Sequence, residues 1–293
     1  MSASLQGRVV AVHGQHLHVL SGGEVHECVT RGKKGGVACN DQVIFKPTGP
    51  GTGVIEKVLQ RRNLLYRSIA HRTKLLAANV DQVVVVTAAV PAPRDELLIR
   101  TLVASAAAGI PAHIVLNKAD LPETAWLYTR LRPYRELGYD LTTLTAKADI
   151  APLRALLAGK TSVLVGASGV GKSTLINALV PGANAGTGDI SSALNAGRHT
   201  TTHTRAFPLP GGGEIIDSPG MQEFGLYHLG TEDLMNAFPE FRELSGRCRF
   251  HNCRHLKEPD CAVLEALRAG RILEERWRVY RGLVRELESA AAY

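Results

Sequence analysis

The sequence predicts a multidomain chain: a small N-terminal β barrel, a central doubly wound α/β domain and a mainly helical C-terminal region with a Cys/His-rich interruption. Three observations predict it. Residues 5–62 alternate polar and apolar side chains in short runs broken by glycines. Between about 70 and 232, β-branched apolar runs alternate with stretches of helical period. Beyond 235 helical spacing returns, interrupted by three cysteines between positions 248 and 261. A chain of 293 residues has room for two or three domains, and 45% hydrophobic residues are enough to fill folded cores.

The barrel strands are expected at 8–12, 16–20, 24–30, 41–45 and 53–59, with a turn at Ser21 and loops at 32–36 and 48–53. Five short strands in about 60 residues fit an OB-fold, with an SH3-like barrel as the alternative. Residues 1–74 hold 11 Lys/Arg against 4 Asp/Glu, while the other 219 residues balance at 23 against 23. The whole excess of the +7 chain therefore sits in the N-terminal quarter, where an anionic partner is expected. Residues 61–67 read as a basic linker. Strands then follow at 81–87, 112–116, 161–165 and 213–217. Helices are expected at 96–108, at 125–137 (broken near Pro133) and at 172–179. The domain limits are set at 1–66, 67–232 and 233–293.

Other classes are excluded. The first residues lack the basic region and apolar run of a signal peptide. The longest uncharged apolar-rich stretch, 101–117, contains Ser105, Gly109, Pro111 and His113, so no membrane span is expected. Five cysteines, three of them clustered, suit a metal site in a reducing compartment, and the protein is expected in the cytoplasm. Cys28 and Cys39 read as packed thiols.

Gly166-Ala167-Ser168-Gly169-Val170-Gly171-Lys172-Ser173 is a complete phosphate-loop motif between a strand and a helix. Its glycines let backbone N–H groups converge on phosphates at a helix N-terminus. Lys172 would reach the β- and γ-phosphates, Ser173 would hold Mg²⁺, and Thr174 extends the predicted nucleotide contacts. Asn117-Lys118-Ala119-Asp120 selects the base, because a carboxylate accepts from both N1–H and the exocyclic amine of guanine. Thr145-Ala146-Lys147 would offer a backbone N–H to guanine O6, with Thr145 and Ala146 the named contacts. Asp217, ending an apolar strand, would hold Mg²⁺ through water, and Gly220 would offer its N–H to the γ-phosphate. In ordinary GTPases the phosphate loop precedes the Asn-Lys-x-Asp motif, but here Asn117 comes 49 residues before Gly166. A parallel sheet tolerates that permutation when its original termini lie close together.

Cys248-x₄-Cys253-x-His255-x₅-Cys261 supplies three thiolates and one imidazole, a set suited to a closed, structural, tetrahedral Zn²⁺ site. His251 is the competing ligand. Arg247, Arg249, Arg254 and Lys257 make this knuckle basic, as phosphate contacts would require. Residues 262–288 carry an apolar stripe broken at Gly270, with arginines over much of the other face. Trp277 and Tyr280 are expected in core or boundary positions.

Taken with Gly197-Arg-His-Thr-Thr-Thr, these motifs resemble the circularly permuted, small-ribosomal-subunit-dependent GTPases of the RsgA/YjeQ family over nearly the whole chain. The resemblance implies an OB-fold, a permuted GTPase domain and a C-terminal zinc domain. It also implies GTP hydrolysis to GDP and phosphate, stimulated by the small ribosomal subunit during its late maturation, and contacts to rRNA. The expected protein is a monomer that engages no membrane. Met221 stands where many GTPases place a water-orienting glutamine, so the free protein should hydrolyse poorly. His199 is the candidate that positions or deprotonates water, and the resemblance points to the same residue. Thr201 or Thr202 would bind Mg²⁺. Two other classes share these motifs: a GTP-gated RNA-binding checkpoint, and a GTPase serving RNA modification or metal delivery. The closed ligand set argues against delivery.

Overall fold

The structure is a computed structural model that describes residues 3–31, 36–69, 72–183, 185, 204–218 and 224–291. Strands β1 (Leu5–His13), β2 (His16–Ser21), β3 (Glu24–Thr30), β4 (Gln42–Gly49) and β5 (Thr52–Val58) form the barrel. They pair in the order β1-β2-β3-β5-β4 and close through β4 onto β1, with β3 and β5 parallel. That closed order is an OB-fold, not an SH3-like barrel. Val9, Leu17, Val19, Cys28, Val43, Phe45 and Ile55 fill it from alternate positions. The loop expected at 48–53 is instead a tight turn, made possible by Gly51 at φ +65°.

The segment expected as a basic linker is in part a strand instead. Leu64–Ile69 (β6) and Arg72–Ala78 (β7) form an antiparallel hairpin that straddles residues 66 and 67. Buried Leu65, Leu76 and Ala77 pin it to the main core, so the second half of the expected linker lies in an ordered strand.

The central domain runs β8 (Gln82–Thr87), α1 (Asp95–Ala107), β9 (Ala112–Leu116), α2 (Thr124–Leu131), α3 (Pro133–Glu136) and β10 (Asp140–Thr143). It continues through α4 (Ala151–Leu157), β11 (Thr161–Val165), α5 (Lys172–Leu179), β12 (Thr204–Pro208) and β13 (Glu214–Asp217). The sheet order is β10-β9-β8-β11-β13-β12, parallel except for β12. Every residue of β8 is buried, as a strand covered on both faces requires. Val83, Val85, Val163 and Val165 face one core, and Val84, Val86 and Leu164 face a second. β12 then pairs with β1, so barrel and central sheet are hydrogen-bonded into one sheet.

The C-terminal part comprises α6 (Thr231–Asn236), α7 (Pro239–Arg242), α8 (Ala262–Arg268) and α9 (Glu274–Ala291). Gly270, at φ +70°, follows the end of α8, where the sequence places the interruption. Among the described residues no helix is long and apolar enough to cross a membrane.

Candidate nucleotide site and metal cluster

The C-terminal ends of β8, β9 and β11 meet beside the phosphate loop, where open parallel sheets bind ligands. Gly169 and Gly171 adopt φ +80° and +100°, conformations that turn the loop back on itself ahead of α5. A Cβ on Gly166 would collide with the Val86 carbonyl, and one on Gly171 with Asn117 Nδ2. Lys172 Nζ donates to the carbonyls of Gly166 at 2.7 Å and Ala167 at 2.9 Å. Burial lowers the Lys172 pKa and raises that of Asp217, and each partly offsets the other's shift. A lysine held this way gains from a polyanion placed before it. Ser173 and Thr174 are half-buried in the first turn of α5, whereas Ser168 is exposed.

Asn117 is buried and joins three loops. Its Nδ2 donates to Val170 O at 2.9 Å, and its Oδ1 accepts from the Ala146 N–H at 3.0 Å. Of the N–H groups of 145–147 expected near guanine O6, that of Ala146 thus already has a partner within the chain. Thr145 O accepts from the N–H groups of Ala148 and Asp149, which folds residues 145–149 into a compact turn. Lys118, at φ +61°, donates from Nζ to Val90 O at 2.8 Å, and the Ala119 N–H donates to Leu144 O. Asp120 remains exposed, with its carboxylate open to a base. Thr124, outside the predicted site residues, holds the Lys118 carbonyl with its hydroxyl at 2.7 Å. A threonine four residues past Asp120 was the available signal. His199, Thr201, Thr202, Gly220 and Met221 lie outside the described residues.

The structure brings together Cys248, Cys253, His255 and Cys261, with their ligand atoms all within 4.8 Å of one another, and His251 is not in the set. Zn–S bonds of about 2.3 Å in a tetrahedron imply S···S edges of about 3.8 Å. Cys248 Sγ and Cys261 Sγ are 3.8 Å apart, and His255 Nδ1 lies 3.6 and 3.4 Å from them. The donor set and its edges therefore fit a tetrahedral metal. Burial pushes the Cys253 thiol up to about 12 and raises Cys261, so metal binding there must release protons. Three supports were not visible in the sequence. Although burial opposes its charge, Glu258 is held at a pKa of about 2 by the N–H groups of Arg254, Leu256 and Lys257. Trp277 Nε1 donates to His255 O and Tyr280 Oη to Arg254 O, so both aromatic residues brace the knuckle.

A family model described as RsgA GTPase matches residues 58–227. A curated relative from Burkholderia pseudomallei (strain K96243), named small ribosomal subunit biogenesis GTPase RsgA, is 50% identical over 291 residues. The alignment covers 96% of this chain and 92% of that relative. One of the same name from Paraburkholderia phymatum is 49% identical over 290 residues, with the same coverage. The crystal structure of YjeQ from Thermotoga maritima aligns with a TM-score of 0.72 at 31% identity, covering 97% of this chain and 99% of that one. That of YloQ, a circularly permuted GTPase, aligns at 0.69 and 26%, covering 98% and 96%. With its phosphate loop and Asn117 joined in permuted chain order, this chain belongs to the RsgA family of circularly permuted GTPases.

Proposed function

We infer that this protein hydrolyses GTP as a late assembly factor of the small ribosomal subunit, binding its rRNA in the cytoplasm as a monomer. The observation that carries the reading is Asn117. It braces the phosphate loop through Val170 and the predicted base loop through Ala146, in a chain that also has a basic OB-fold and a Cys₃His cluster.

In this reading Asp120 accepts from guanine N1–H and N2–H, while Lys118 packs along the ring. Backbone N–H groups of 166–171, with Lys172, hold the β- and γ-phosphates. Bound Mg²⁺ supplies charge neutralisation on those phosphates. Ser173, Asp217 and Thr201 or Thr202 are the residues that would hold it, and Gly220 would bond the γ-phosphate. His199 orients the attacking water and takes its proton. The new bond forms between that water's oxygen and the γ-phosphorus. The bond to the β–γ bridging oxygen breaks, leaving GDP and phosphate. Zn²⁺ in the cluster would hold the knuckle that presents Arg247, Arg249, Arg254 and Lys257 to phosphates.

The test is GTP turnover by the protein alone and with purified small subunits, large subunits and bulk RNA. Stimulation by small subunits only is the expected result, and equal stimulation by any RNA would replace the subunit reading with a general RNA-responsive GTPase. His199→Ala should bind GTP normally and lose about 100-fold or more of the stimulated turnover, the size of a general-base contribution. Stimulated turnover unchanged in that variant would remove His199 from the mechanism.

A further inference from the structure

β12 would be an exposed edge of the central sheet, but the barrel covers it. Ala11 and Val12 of β1 pair antiparallel with Arg205 and Thr204. Arg205 in turn pairs with Asp217 on β13. Ala11, Arg205 and Asp217 therefore lie in one line across three strands, from the barrel wall to the nucleotide-site carboxylate. Thr204, opposite Val12, is five residues after His199 in the chain.

A ladder of two residue pairs is short, and a second contact fixes it. The Arg8 guanidinium reaches past β12 and grips the Glu214 carboxylate with both terminal nitrogens, and the two side chains are only 23% and 16% exposed. Glu214 and Asp217 are the two ends of the four-residue strand β13, about 10 Å apart at strand rise. Arg8 Nη1 also donates to Asn40 Oδ1 at 3.1 Å, and Asn40 Nδ2 donates to the carbonyls of Ala78 and Asn79, just before β8. The same arginine thus holds β13 and, through Asn40, the approach to β8.

We propose that Arg8 and Glu214 are positioning residues for GTP hydrolysis: through β1, β12 and β13 they transmit engagement of the barrel to Asp217 and Thr204. The proposal rests on the subunit-stimulated reading above. A displacement of β1 cannot be absorbed by this ladder without moving β12, because ladder hydrogen bonds fix register. The pair joins residues 206 positions apart, so it couples the two units by contact and not by chain connection.

The test is a double-mutant cycle on full-length protein with GTP and purified small subunits. The variants are Arg8→Glu, Glu214→Arg, the two combined, and the shape-conserving Glu214→Gln. Each single variant should bind GTP and turn it over unstimulated within about twofold of the wild type, and lose about tenfold in stimulated kcat with subunit affinity unchanged. The combined charge swap should recover most of that loss. Stimulated kcat at the wild-type level in the single variants would overturn the proposal. So would a matching fall in unstimulated turnover, or a swap no better than its parents. The wild type assayed alongside separates the two ideas: if small subunits fail to stimulate it, the functional reading fails first and takes the coupling with it.

Discussion

Gly171 shows how little tolerance the phosphate loop has. It combines φ +100° with a backbone on which a Cβ would collide with Asn117 Nδ2, the donor that holds Val170. An alanine there would adopt a left-handed conformation and push away the side chain that also holds the Ala146 N–H. Strain and lost hydrogen bonds together cost about 3 kcal/mol, so Gly171→Ala should weaken GTP binding about 100-fold, read by titration with a fluorescent GTP analogue. Near-wild-type affinity would mean that the three loops move independently. Much of this was legible, because phosphate and guanine chemistry demands particular residue types at fixed spacing. The Lys118 bond to Val90 O and the Thr124 bond to Lys118 O were not, since backbone carbonyls carry no residue signature. At the metal cluster, spacing pointed to His255 over His251 and the structure brings His255 to the cysteines.

Among the elements, α9 departs most from its sequence pattern. Its arginines read as an outer face, yet Arg276 is fully buried within the apolar stripe. It is paired with Glu240 of α7 through both Nε and Nη2, with the rings of Tyr134, Tyr139 and Phe238 at 5.4, 5.9 and 5.1 Å. Removing the carboxylate would strand a buried guanidinium, so Glu240→Ala should destabilise the protein by about 3–5 kcal/mol in denaturant titration. Arg278→Ala, which breaks an exposed pair with Glu274 on the same helix, should cost under about 0.5 kcal/mol. Equal effects would show that the buried pair does not anchor α9. The elements with no sequence signature, β10, α4 and β12, are short and mixed in composition: Asp-Leu-Thr-Thr, a helix with a proline in its first turn, and Thr-Arg-Ala-Phe-Pro. Neighbouring strands and cores hold them in place, and no period in so few residues could announce them. The hairpin β6–β7 was hidden for the opposite reason, because its arginines outweighed the buried Leu65 and Leu76.

Across the whole molecule, the permutation was readable from motif order alone, but the β1–β12 junction was not, since pairing between distant segments depends on where the folded units meet. The central sheet separates two cores, and this has a consequence for metal removal. Cys253 and Cys261 belong to the core shared by α1, Val83, Val85 and the C-terminal helices. The phosphate loop and α5 pack through Val170, Leu175 and Ile176 into the core on the other face. Independently of the knuckle, α9 is held to α1 by the bidentate Arg100–Glu286 pair and to α7 by Arg276. A structural metal contributes about 10 kcal/mol to the segment it organises, so stripping it should release residues 248–261. Amide exchange should rise there, and Trp277 emission should shift as its bond to the His255 carbonyl is lost. GTP affinity should stay within about threefold, because Val170, Leu175 and Ile176 anchor the phosphate loop and α5 in the core across the sheet from the knuckle. If chelation abolished GTP binding in parallel with the Trp277 change, the two cores would be one cooperative unit, and the metal would be a condition for the nucleotide site itself.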